Sequence, residues 1–188
     1  MTGQGKRDTA RLLADSFKEL ACRTPIEKIT VKEITDRAGV IRPTFYNHFQ
    51  DKYELLEWII SQDLIEPIRP FVRSGLTTQA MTFLFLNVEK EKEFYLKVSR
   101  LEGQNSFFGI SQHCLQSLLE EVCEEHRARR ERRYEWLTPE RLAQYYGQSM
   151  VFVMIEWIQS GMTISAEELA ELYQYMMSHS LEDALKDL

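Results

Sequence analysis

The chain has 188 residues, 44% hydrophobic and 28% charged, a balance that excludes a disordered, fibrous or membrane-spanning protein and fits one or two small globular domains. The longest apolar run of its second half, Met150 to Ile155, falls far short of the roughly 18 to 20 residues of a membrane span, and no charged-then-apolar leader opens the chain. This reading places the protein in the cytoplasm with no membrane partner. Three cysteines, Cys22, Cys114 and Cys123, form no C-x-x-C pair and leave an odd count, which argues for reduced core thiols rather than disulfides or structural zinc.

The net charge of -6 hides an asymmetry: residues 1 to 52 carry ten Lys or Arg against seven Asp or Glu, and the remaining 136 carry 13 against 22. A modestly basic head precedes an acidic body. Only 8 glycines and 5 prolines punctuate the chain, and apolar residues recur at spacings of three and four. The fold is therefore expected to be all-α, with about nine helices.

The first helix is predicted from about Lys6 to Cys22, with Leu13, Ala14, Phe17 and Ala21 on one face, ending before Pro25. Thr30 and Glu33 form a capping box that opens the second helix, with Ile29 and Ile34 at the staple positions around it, and Gly39 closes it. A short third helix runs from Pro43 to Phe49. Asp51 and Glu54 read as a second capping box, opening a connecting helix that reaches toward Pro67. The stretch from Arg69 to Gln79 reads as a loop. Further helices are predicted at Ala80 to Glu89, Lys92 to Leu101, Phe107 to Arg133, Pro139 to Ser160 and Ala166 to Leu181. Thr138 with Pro139 caps the fourth of these, and Ser165 with Glu168 makes a third capping box.

Within the third helix, Phe45 and Phe49 point the same way at 100° per residue, while Pro43, Thr44 and Asn47 point away from them. Such a helix suits the DNA major groove, where Asn bonds a base edge and Thr offers a methyl or hydroxyl. Tyr46, His48, Lys32 and Lys52 are placed to donate to phosphates around it.

These residues also resemble the TetR/AcrR family of bacterial transcriptional regulators. The likeness lies in Ile29-Thr30-Val31-Lys32-Glu33-Ile34, Ala38-Gly39-Val40, Thr44-Phe45-Tyr46-Asn47-His48-Phe49 and Asp51-Lys52-Tyr53-Glu54-Leu55-Leu56, within residues 8 to 60. It implies a helix-turn-helix DNA-binding domain over residues 1–52, joined by a connecting helix at about 51–67 to a helical regulatory and dimerisation domain over 68–188. It further implies that Thr30 and Lys32 hold the DNA backbone, that Arg42, Pro43, Thr44 and Asn47 lie at base edges, and that Tyr46, His48 and Lys52 grip phosphates. One position departs from the pattern: Ile41 stands where the family usually has Ser, so either the helix cap is lost or Arg42 takes its place.

The helix around Ser149 to Ile158 is apolar nearly all round and must be buried on more than one side. Together with the last long helix it is expected to form the interface of a homodimer, through Phe152, Ile155, Trp157, Leu172, Tyr173 and Met176. The resemblance implies a four-helix interface there. A two-fold dimer sets two recognition helices one helical turn apart on a near-palindromic double-stranded operator.

Phe83, Phe94, Tyr95, Phe108, Tyr145, Tyr146, Met150 and Met154 are expected to line the interior of the body, where the resemblance implies an inducer pocket, with a filled core as the plainer reading. His113 and Cys114 are adjacent and cannot share a helix face, which argues against a metal site with Cys123 or His126, and no cofactor is expected. The arginines at 127, 129, 130, 132 and 133 follow a run of glutamates and read as a solvated helix end. No nucleophile with a base, metal cluster or phosphate loop marks an enzyme. The leading expectation is a repressor released by a small-molecule inducer. Its rival, left open by Trp157-Ile158-Gln159-Ser160-Gly161-Met162, which resembles some Gram-positive members, is a DNA-bound regulator or co-activator controlled by a partner protein and lacking a pocket.

Overall fold

The computed structural model describes residues 3–127 and 134–186. Among them the chain forms eleven α-helical segments: α1 (Gly3–Ala21), α2 (Val31–Ala38), α3 (Arg42–Tyr46), α4 (Lys52–Ile60), α5 (Glu66–Arg73), α6 (Thr77–Lys90), α7 (Lys92–Val98), α8 (Phe107–Arg127), α9 (Pro139–Gln159), α10 (Ala166–Ser178) and α11 (Leu181–Ala184). Of the run of arginines, those at 129, 130, 132 and 133 lie outside the described residues. So does the end of the helix predicted from Phe107 to Arg133.

Local signals explain the head. Leu13, Ala14, Phe17 and Ala21 of α1 are fully buried against α2 and α4. In the capping box of α2, Thr30 Oγ1 accepts from the Glu33 N–H, and the Glu33 carboxylate accepts from the Thr30 N–H at 2.8 Å. The Thr30 hydroxyl also donates to the Glu33 carboxylate at 2.7 Å, and this bond first, then the Thr30 N–H, holds the Glu33 carboxyl below its ordinary range. Ile29 and Ile34 close underneath, and Gly39 ends α2 at φ 69°. The second predicted box forms by half. Asp51 accepts from the Tyr53 and Glu54 N–H groups, but the Glu54 carboxylate reaches back one residue further, to the Gln50 N–H.

The connecting helix does not stop at Pro67, and the loop predicted from Arg69 to Gln79 is mostly helical. Proline has no N–H, and its ring crowds the carbonyl four residues before it. Two adjustments remove that obstacle. The turn Ser61–Ile65 is widened, with the Glu66 N–H donating to the Ser61 carbonyl five residues back, and the Asp63 carbonyl that Pro67 cannot serve accepts instead from Asn87 Nδ2 at 3.3 Å. The rod therefore runs on through α5 until Gly75, at φ 72°, breaks it before α6. The last predicted helix is also divided: α10 ends at Ser178, and Ser180 caps a separate α11.

In the body α8 packs along α9, while α6 lies between α5 and α10. A polar and aromatic joint fastens α1 to this body. Lys18 Nζ lies 2.5 Å from Asp63 and 2.5 Å from Glu91, Arg11 lies 2.6 Å from Asp63, and Phe17 meets Phe94 edge-on at 6.4 Å. Lys18 and Asp63 are mostly covered, so this pairing is screened less than an exposed one.

Candidate nucleic-acid interface and apolar cleft

Phe45 and Phe49 anchor α3 from below, at 0% and 5% exposure, with their rings 5.8 Å apart. That anchoring turns Arg42, Pro43, Tyr46 and Asn47 outward and leaves Thr44 and His48 half-buried at the flanks. Regular helix ends at Tyr46, earlier than the predicted Phe49, and residues 47 to 49 continue as a tight turn with Asn47, His48 and Phe49 bonded to the carbonyls of Pro43 and Phe45. Ile41 occupies the cap position with no side-chain bond and 70% exposure, so the cap is lost and Arg42 is the first residue of the helix. Arg42 instead turns along the helix to donate to Tyr46 Oη at 3.4 Å.

The cations around α3 divide into two kinds. Lys32 is exposed and held only by Asp36 one turn on, at 3.3 Å, an ion pair weak enough for a phosphate to replace. Lys52, expected to reach outward, is directed inward. Its ammonium donates to the carbonyls of Ile26 and Glu27 at 2.7 Å and of Ile29 at 2.8 Å. A lysine has three protons, so all are engaged in tying the start of α4 to the turn that precedes α2. Desolvation lowers its pKa, opposed by the nearby Glu27, Asp51 and Glu33. His48 lies against Phe49, and its pKa is lowered by burial and by Lys6.

The expected dimer residues fall on two sides of their helices. Phe152, Leu172 and Met176 are exposed, at 59%, 46% and 43%, and Ile155 is half-buried. Trp157 is core: it packs on Phe85 at 5.8 Å and donates through its indole N–H to the Ile164 carbonyl. Tyr173 is buried too, with its hydroxyl 2.8 Å from Ser149 Oγ. Both point to the interior, Trp157 onto Phe85 of α6 and Tyr173 toward Ser149 of α9.

Between α5, α6, α8, α9 and α10 the body holds a half-open cleft of about 800 Å³. Of the eight predicted pocket residues only Tyr146 and Met150 line it. Phe94 and Tyr95 are packed at the joint with α1, Phe83 and Phe108 lie at the surface, Tyr145 is 65% exposed, and Met154 lines a smaller void. The walls come instead from Ile68 and Val72 of α5, Met81 of α6, a stripe of Leu115, Leu119, Val122 and Cys123 on α8, Leu142 of α9, and Tyr173, Gln174 and Met177 of α10. The α8 spacing was available as a signal. The α5 residues were hidden because their segment read as a loop. No Asp, Glu, Lys or Arg is among the described lining residues, and burial pushes the Cys123 thiol up.

The described residues contain no grouping of three metal-ligating side chains, and no helix among them is long and apolar enough to cross a membrane. What remains is a helix-turn-helix head with an outward polar helix, mounted on a helical body that holds an apolar cleft. That is the architecture of a DNA-binding regulator.

Comparison with known sequences and structures agrees. Residues 18–59 match the family described as "Bacterial regulatory proteins, tetR family", and residues 77–179 match "Transcriptional regulator C-terminal region". The chain belongs to the TetR family of transcriptional regulators, which are not enzymes. It is 29% identical over 114 residues to the HTH-type dhaKLM operon transcriptional activator DhaS of Lactococcus lactis subsp. lactis (strain IL1403), a match covering 61% of this chain and 60% of that protein. Its fold is similar to the solved Dihydroxyacetone kinase operon activator DhaS, with TM-score 0.64 and 24% identity over 89% of this chain and 93% of the other. It is also similar to NalD, the secondary repressor of the MexAB-OprM multidrug efflux pump in Pseudomonas aeruginosa, with TM-score 0.63 and 20% identity over 91% and 95%. By their names one activates and the other represses, so the shared fold does not set the sign of the output.

Proposed function

We propose that the protein is a cytoplasmic homodimer that binds a near-palindromic operator through two copies of α3 and represses transcription until a small apolar molecule enters the cleft. The carrying observation is that cleft, about 800 Å³ of apolar space in a body that a partner-controlled regulator would pack solid. In the DNA complex, Arg42, Pro43, Thr44 and Asn47 face base edges, and Thr30, Lys32, Tyr46 and His48 hold the backbone. Lys52 acts from behind, by fixing the turn from which α2 springs. Phe152, Ile155, Leu172 and Met176 supply the dimer face. A ligand releases DNA only if it binds better to a head spacing that misfits the operator.

A second reading has its own support. The relative at 29% identity is by name an activator, so a bound regulator that recruits or answers to a partner protein is the alternative. The deciding experiment is binding of purified protein to DNA upstream of its own gene and its neighbours, beside random DNA, at two salt concentrations, followed by transcription from the bound promoter. Tight, salt-sensitive binding of a dimer to one near-palindrome, with lowered transcription, is the expected result. Raised transcription on the same site favours the activator reading. Binding no tighter than to random DNA overturns both.

A further inference from the structure

The cleft shares a wall with a second, smaller cavity. Leu115 and Met150 line both, and behind them lies a void of about 10 Å³ against Ile60, Leu64 and Ile65, at and beside the widened turn between α4 and α5. The one polar side chain in this void is Ser111, which is 3% exposed and whose Oγ has no hydrogen-bond partner among the described residues. A buried hydroxyl without a partner destabilises a fold. Water is a poor remedy here: the space is about that of one molecule, but buried waters make about three bonds and this lining offers one polar group. Tyr95, whose buried hydroxyl is also unpartnered, lines neither cavity.

We infer that Ser111 is the inner anchor of the ligand site, and that the ligand is an uncharged, elongated, mainly hydrocarbon molecule ending in a carbonyl that accepts a hydrogen bond from Ser111 Oγ. The inference rests on the reading of the cleft as a ligand site. It narrows the chemistry in two ways. A carboxylate or ammonium would leave water for a lining that holds no Asp, Glu, Lys or Arg and whose imidazole, His126, is exposed with its Nδ1 2.8 Å from the Val122 carbonyl, whereas a neutral carbonyl needs only the single donor that Ser111 provides. Met150, unbranched and easily rearranged, is the side chain that moves aside to join the two cavities. The ligand tip then lies against Ile60, Leu64 and Ile65, on the rod that carries the head, so its effect need not cross the body to reach the DNA-binding helices.

The test uses N-phenyl-1-naphthylamine, a neutral fluorophore, as the probe of the cleft. It is displaced by 2-undecanone or by 2-methyl-1-undecene, in which a CH₂ group replaces the carbonyl oxygen. The wild-type chain is expected to bind the probe, and Ser111→Ala to weaken the ketone about tenfold while leaving the alkene and the probe unchanged. Ser111→Cys, of similar shape but a weak donor, reproduces the loss. Without ligand, Ser111→Ala melts about 2 to 4 °C higher, because it removes an unsatisfied hydroxyl. A ketone affinity indifferent to Ser111→Ala, with the probe still bound, overturns the anchor and spares the cleft. A lower melting temperature overturns it too, by showing that the hydroxyl already has a partner. Failure of the probe to bind overturns the cleft reading and the anchor together.

Discussion

The head and the body are built from similar residues packed to different ends. In the head every large apolar side chain of α1 to α3 that faces inward is used: Leu13, Phe17, Ile34 and Phe45 are all at 0% exposure. Its two helix caps and its clasp, Lys52, leave few backbone groups unserved around α2 and α4. The body keeps a cleft of about 800 Å³, an orphan hydroxyl in the smaller void behind it, and exposed Phe152, Leu172 and Met176 on its outer helices. Dense packing fixes the orientation of a helix that must fit a groove. Loose packing and open apolar surface belong to a region completed by something else.

The comparison breaks first if the two regions respond alike to cavity-making substitutions. Phe45→Ala should destabilise the protein by about 3 to 5 kcal/mol in denaturant unfolding, whereas Leu142→Ala at the cleft wall should cost under about 2 kcal/mol, since its site is already partly empty. Equal losses would remove the distinction. Phe152→Glu should leave the fold intact and yield monomers in sedimentation, with operator affinity lowered roughly a hundredfold, or about 2.8 kcal/mol. A variant that stays dimeric would move the interface elsewhere.

Three smaller effects sharpen the account of the head. Asn47→Ala should cost about 1 to 3 kcal/mol on the preferred sequence and relax preference at one base pair, whereas Tyr46→Phe weakens binding to all sequences alike. Equal loss on specific and random DNA for Asn47→Ala would remove it from the base readers. Lys52→Ala should lower stability by about 1 to 2 kcal/mol through three abandoned carbonyls, and loss of DNA binding without loss of stability would return it to the phosphate-gripping role. His48 gives the smallest signal. Its folded pKa lies below the ordinary value, so its share of stability is present above about pH 6.5 and lost as pH falls through the depressed folded value. A neighbouring phosphate acts oppositely by favouring the charged ring. Operator affinity should therefore rise modestly from about pH 7.5 to about pH 6, by under about 1 kcal/mol, and His48→Gln should flatten that slope.

Much of the head was legible because its determinants are local. Thr30 and Glu33 are three residues apart, Gly39 follows its helix directly, and Phe45 and Phe49 share a face through spacing alone. The widened turn was not legible. Pro67 reads as a stop, and only Asn87, 20 residues further on and brought near by the α5–α6 packing, supplies the donor that lets the helix continue. Lys52 misled for a similar reason: its position predicts an exposed cation, but the carbonyls of Ile26, Glu27 and Ile29 converge on it only once the head has folded. Most of the candidate pocket residues lie away from the cleft because aromatic residues in an all-helical chain mark apolar faces without saying whether the space between them is filled.

By itself the sequence determined the all-helical architecture, the helix-turn-helix, and the faces of α1 to α3, since periodicity, caps and glycine positions act within a turn or two of the chain. The tertiary structure alone decided where α4 ends, that Trp157 and Tyr173 point inward, that Phe94 fastens the head to the body, and that the empty space lies between α5 and α10. Those outcomes depend on which helix faces meet, and a meeting of faces joins residues whose separation along the chain carries no periodic signal.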